Sequence, residues 1–168
     1  MKYQVIYSKR KTVSLSVKGS ELIVRAPIGT AKTYIESLIK KHTDWIENAI
    51  ARQKKKSSLF EGLTEADVNR LKREARLYFS DKLKVYSAIM GLKYNRFSIT
   101  SAKTRFGSCS SKGNICFSYR LMLYPERARE YVVVHELAHL VHMNHSKSFY
   151  DLISKYLPDY KERKRLLK

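Results

Sequence analysis

The sequence predicts an α+β fold with a small N-terminal lobe over residues 1–56, a β-hairpin plus a helix, and a larger mixed domain over residues 57–168. Three observations predict it. Val13, Leu15 and Val17, and then Leu22, Val24 and Ala26, alternate with polar residues, which is the period of half-buried strands. Ile35, Leu38, Ile39, His42, Trp45, Ile46, Ala49 and Ile50 recur at steps of three and four, one apolar face of a helix. Further on, "RFSIT" and "RFGSCSSKGNICFSYRLML" read as strands and lead into "YVVVHELAHLVHM", a helix apolar almost all round.

In the first lobe Lys18 to Glu21 supply the turn between the two strands, Pro27 and Gly29 close the second, and Thr30 is the expected N-cap of the helix. His42 lies on the apolar face and reads as a packed core histidine rather than a ligand. "RQKKKSS" breaks the pattern and marks the lobe boundary, its lysines a solvated helix end. The next helix starts at "LTEAD", with Thr64 as N-cap and Asp67 at the capping-box position. Val68, Leu71, Ala75, Tyr78, Phe79, Leu83, Tyr86 and Ile89 form its buried stripe, and Gly91 its C-cap. The last two of the three strands that follow form a hairpin around Lys112-Gly113, with Ile115, Phe117, Tyr119 and Leu121 on one face. Pro125 fits the first turn of a helix running to about Met143. Beyond Ser146 a further helix carries Phe149, Leu152, Ile153 and Tyr156, Pro158 interrupts it, and the basic tail "KERKRLLK" is expected to fray.

Composition narrows the function classes. The net charge is +19, from 34 Lys+Arg against 15 Asp+Glu. That excess suits a polyanionic partner such as nucleic acid or a nucleotide, or simply a solvated basic surface. Two cysteines, Cys109 and Cys116, are too few for a disulfide framework, although they could face each other across the hairpin. No apolar run reaches membrane-spanning length and the start lacks a signal-peptide core, so a soluble cytoplasmic protein with no membrane partner is expected.

The chemistry concentrates in "HELAHLVHMNH", residues 135 to 145, which holds four of the five histidines. Burying Glu136 and two imidazoles in an apolar helix without partners would cost several kcal/mol, on the order of 2–7 per polar group. A bound cation removes that objection. His135 and His139 are four apart and project from one helical face, so both can bind one ion. Neutral imidazoles beside a carboxylate suit zinc, and a catalytic zinc takes three protein ligands plus water. His142 shares the face, but it lies seven residues from His135, about 10 Å along a straight helix, while zinc–nitrogen bonds are about 2 Å. His145 escapes this limit if the chain turns after residue 142, as the glycine of HExxHxxGxxH sequences permits. Here His142 occupies that glycine position, so Asn144 or His142 itself would have to take the left-handed conformation. Geometry favours His145, with Asp151 as the alternative. Glu136 follows the first ligand and can reach a water on the ion.

"TRFGSCSSKGNICFSYRL", "EYVVVHELAHL" and "NHSKSFY", in that order, resemble the YgjP-like metallopeptidase family, related to SprT-like and other zincin proteins. "SKRKTVSLSVKGSELIVRAP" and "DWI" extend the resemblance over nearly the whole chain. It implies a zincin-like metallohydrolase domain, with His135, His139 and His145 as metal ligands and Glu136 as catalytic base. Phe106 and Tyr150 stand where the family usually has tryptophan, and Ser118 where asparagine is common. These departures touch packing near the site rather than the ligands.

The expected function is therefore a zinc-dependent hydrolase holding one Zn2+, a metallopeptidase in which Glu136 takes a proton from water and passes it to the leaving amine. A peptide or protein substrate can add to the edge of the 104–120 hairpin, and Arg105 is a candidate for binding a carboxylate or developing negative charge. Two rival readings stand beside it. The same site would serve a metal-dependent nucleoside triphosphate hydrolase, and the charge alone would serve a basic nucleic-acid-binding module.

Overall fold

Period-two alternation builds the first sheet. The structure, a computed structural model, describes residues 2–167, with the side chains of Lys55, Lys56 and Ser57 outside the described set, so the expectation of a solvated lysine run is tested only at Lys54, which is exposed. The chain divides into two units, Met1–Glu61 and Gly62–Lys168. In the first, strands β1 (Tyr3–Ser8), β2 (Ser14–Lys18) and β3 (Glu21–Pro27) form a sheet in the order β1-β3-β2, with β1 parallel and β2 antiparallel to β3. Leu22, Val24 and Ala26 point inward with Ile35 and Ile46 to make the unit's core. Strand β1 was not expected: its alternation in "YQVIYS" is half polar and reads as surface.

The single helix expected over the 35–50 stripe is two helices, α1 (Lys32–Lys41) and α2 (Thr43–Ser58). His42 is the C-cap of α1, with φ −112° and ψ 20°, and is exposed rather than packed. The break turns part of the stripe outward, leaving Trp45 44% exposed. Thr30 is not the N-cap either. Ala31 takes that position, and the Thr30 hydroxyl instead donates to the Pro27 carbonyl. Helix α2 continues through the "RQKKKSS" stretch to Ser58.

The second unit opens with α3 (Glu65–Met90), a 26-residue helix. Both ends are as read from the sequence. Thr64 Oγ1 accepts from the Asp67 N–H, Asp67 accepts from the Thr64 N–H, and Gly91 closes the helix in the left-handed conformation at φ 65°. The stripe is also as expected except at its end, where Met90 is buried and Ile89 is 58% exposed. Strands β4 (Arg96–Thr100), β5 (Gly107–Cys109) and β6 (Asn114–Ser118) form a sheet in the order β4-β6-β5, with β4 parallel and β5 antiparallel to β6. Phe117 stacks on Phe79 of α3 at 4.4 Å between centroids, and this pair ties sheet to helix. Tyr119 and Leu121 are buried as predicted, but in a 3₁₀ turn (Tyr119–Leu123) rather than in the strand. The thiols do not face each other across the hairpin. Cys109 opposes Ile115, Cys116 opposes Ser108, and both cysteines are free.

Helix α4 (Glu126–Ala138) starts one residue after Pro125 and ends five residues before the expected Met143. Helix α5 (Lys147–Tyr156) buries Phe149 and Ile153. The tail is helical as α6 (Tyr160–Arg165) and is held by charge. Arg163 donates to Glu130 on α4 at 2.6 Å and to Asp159 at 2.8 Å, while Lys82 from α3 reaches Glu130 at 2.7 Å. Among the described residues no helix is long and apolar enough to cross a membrane.

Burial alone would raise the Glu130 carboxyl, but the Lys82 and Arg163 hydrogen bonds outweigh it and hold the group below the ordinary carboxylate range. A carboxyl depressed in the folded state stabilises the fold above its unfolded pKa, near 4.5, and that stabilisation is lost as pH falls through the lower folded value. Glu130→Gln is therefore expected to cost about 2 kcal/mol in urea unfolding at pH 7. The difference from wild type should shrink steadily below pH 4; a difference independent of pH would remove charge from the account.

Candidate metal centre

Helix α4 is buried on nearly every side because its apolar residues follow one another without a polar stripe. Tyr131, Val132, Val133, Val134, Leu137 and Ala138 are all buried, and Glu136, 4% exposed, is buried with them. His135 and His139 leave the helix on one face, and their rings meet edge to face at 4.8 Å. The helix ends at Ala138, and then Leu140 and Val141 bond back three residues, to Leu137 and Ala138. This tightening turns the chain without any non-glycine residue in the left-handed region, so neither His142 nor Asn144 takes the conformation expected of it. His145 thereby returns to the end of the helix.

Three imidazoles converge. One nitrogen from each of His135, His139 and His145 lies within 4.8 Å of the others. His142 and Asp151 stand outside this group. The backbone of His142 contributes instead: its carbonyl lies 3.0 Å from His139 Nδ1. A carbonyl only accepts, so Nδ1 carries the proton and Nε2 keeps a free lone pair. The Tyr131 hydroxyl, one turn before His135, lies 3.3 Å from its Nδ1 and leaves Nε2 facing the cluster. His135 Nε2 and His145 Nε2 are 3.2 Å apart. Phe149 of α5 is the common support, its ring 4.9, 4.6 and 4.9 Å from His135, His139 and His145.

The electrostatics favour neutral rings. Burial, and then the neighbouring His139 and His145, push the His135 imidazole down to about 3. Burial also lowers His139. Unprotonated nitrogens facing one another repel unless a cation lies between them, so this donor set fits a divalent metal of the zinc type. Glu136 is the complementary case. Burial pushes its carboxyl up to about 8, partly offset by the positive charge of Arg105, and its Oε2 has no hydrogen-bond partner. Arg105 is exposed in the segment before β5, and it reaches Glu136 only through its charge.

Three contributors escaped the sequence reading. Tyr131 is four residues before His135 on the same helix, a spacing from which its contact was legible. Phe149 was read only as part of an apolar stripe. Gly107 starts edge strand β5 directly over Glu136, where a Cβ would overlap the carboxylate, with Glu136 Cγ and Cδ both 2.8 Å away. Its φ is not positive, so no turn requires the glycine. A glycine inside a strand pattern marks such a close approach. Gly107→Ala is expected to cost about 1–3 kcal/mol through overpacking. In a double-mutant cycle the cost should largely vanish on a Glu136→Ala background; an undiminished penalty there would place the clash elsewhere.

Residues 61–168 match the family model described as YgjP-like, metallopeptidase domain. No curated protein matches the chain. Among solved structures, the crystal structure of the metallopeptidase zymogen of Pyrococcus abyssi abylysin is similar, with 27% sequence identity, a TM-score of 0.49, and coverage of 53% of this chain and 90% of that one. With nearly two thirds of its length matched by the family model, the chain belongs to the YgjP-like metallopeptidase family.

Proposed function

We propose that this chain is a zinc-dependent metallopeptidase in which His135, His139 and His145 hold the ion and Glu136 is the general base. The observation that carries the reading is the convergence of three imidazole nitrogens beside a buried carboxylate with one oxygen unpartnered. Zinc, when bound, supplies Lewis acidity toward a carbonyl and toward water. The protein's own groups do the rest. Glu136 accepts a proton at Oε2 and releases it to the leaving amine. A carboxyl held near 8 by burial keeps that proton well at neutral pH, and a neighbouring dication would lower its affinity, bringing it toward balance between the two roles. Tyr131 and the His142 carbonyl fix the orientation of the His135 and His139 rings. Strand β5 is the edge of its sheet and lies beside Glu136 at Gly107. An extended peptide can pair with this edge through its backbone, bringing one amide to the carboxylate. Arg105 adds positive potential close by, suited to a substrate carboxylate or to developing negative charge.

Metal analysis of purified protein tests the ligand set. Wild type and His142→Ala are expected to retain about one zinc per chain, and His145→Ala to lose most of it. Loss with His142→Ala and retention with His145→Ala would reverse the assignment. Glu136→Gln is expected to keep the metal and lose at least about 100-fold in peptide turnover. Casein-type peptides and nucleoside triphosphates, assayed side by side with that variant as control, separate peptide from phosphoanhydride hydrolysis.

A further inference from the structure

Beside the imidazole cluster lies a cavity of about 330 Å³, lined in part by His135 and Glu136. Its size is at the lower end of ligand pockets, about 300 Å³, which suits one side chain rather than a nucleotide. Phe106, Tyr131, Val132 and Leu167 make its surroundings largely apolar, and the cation among its lining residues is Lys164. Lys164 belongs to α6, and its orientation is built rather than incidental. Its neighbour Arg163 anchors the helix to Glu130 and Asp159. The Lys164 ammonium lies 5.2 Å from the centroid of the Tyr150 ring and donates a hydrogen bond to the Tyr150 hydroxyl at 3.5 Å. Tyr150 in turn stacks on Tyr160 at 5.8 Å. Arg163 is paired with two carboxylates, whereas Lys164 forms no ion pair with the described residues. Lys164 lines the same cavity as His135 and Glu136, so a group bound there lies between the ammonium and the reacting groups.

We propose that Lys164 determines specificity by pairing with a carboxylate on, or next to, the substrate residue that fills this cavity. The inference rests on the peptidase reading above and adds a substrate class to it: peptides with a carboxylate close to the bond that is cut. That carboxylate is either the free C-terminus or an acidic side chain, and the site chemistry is the same for both. An exposed ammonium–carboxylate pair of this kind is worth roughly a two- to five-fold preference.

The test uses three labelled alanine-rich peptides: one ending in phenylalanine as the free acid, the same peptide as its amide, and an amide with glutamate after the phenylalanine. Binding is measured by fluorescence anisotropy on zinc-loaded Glu136→Gln protein, and cleavage on zinc-loaded wild type. At least one carboxylate peptide should bind about two- to five-fold more tightly than the neutral amide, and which one it is names the source. The ratio should fall to about one when Lys164→Met is added and below one with Lys164→Glu, and the KM ratio in cleavage should follow. Equal binding of all three peptides by the parent protein overturns the proposal. So does a preference that survives Lys164→Glu, or one abolished only by Arg105→Met. If wild type cleaves none of the peptides, the peptidase reading fails, while the binding ratios still decide the role of Lys164. Lys164→Met adds no charge, so it remains informative should Lys164→Glu not fold.

Discussion

The second unit depends on a helix that is too apolar to lie at the surface and too polar to be buried without partners. Val132, Val133, Val134 and Leu137 demand burial for α4, and burial of that kind stabilises by roughly 1.5–3 kcal/mol for each large side chain. His135, Glu136 and His139 are carried inward on the same helix. Each must then find a partner or remain a liability. Tyr131, the His142 carbonyl and Phe149 satisfy and support the rings, while Glu136 keeps one oxygen without a partner. That remaining oxygen is a local cost to stability, the pattern expected of a functional site.

The rest of the unit can be understood as serving this helix. Phe79 of α3 and Phe117 of β6 stack behind it, and the sheet places its short edge strand against Glu136. The approach is so close that only hydrogen fits at Gly107. A larger residue there would displace the carboxylate, so a backbone position far from the imidazoles in sequence sets the placement of Glu136.

Much of this was legible in the sequence, for identifiable reasons. Capping is local chemistry: Thr64, Asp67 and Gly91 marked the ends of α3 because each satisfies backbone groups within four residues of itself. The sheet faces followed from period two, and the grouping of His135, His139 and His145 from helix geometry and the short reach of a metal bond. The failures have a common origin in tertiary context. The apolar spacing from Ile35 to Ile50 reads as one helix, and nothing local reveals that the chain breaks at His42 and leaves Trp45 half exposed. The helix carrying the histidines stops at Ala138 although "LVHM" continues the pattern, because returning His145 to the cluster requires the turn. The basic tail reads as a fraying end, yet its charges find specific counter-charges on α4 and at Asp159 that sequence spacing does not disclose.

Helix α6 has six residues and none of them is fully buried, too few for such a segment to stay helical by itself in water. Its attachment leans on Glu130, Asp159 and Arg127, a chain of ion pairs partly open to solvent. Dissolved salt weakens contacts of that type while leaving the aromatic interior untouched. The attachment of the C-terminal segment therefore has a part that salt reaches, the exposed Arg127 pair, and a part it reaches little, the half-buried Arg163–Glu130 pair together with Tyr160 and Leu167 packed on the core.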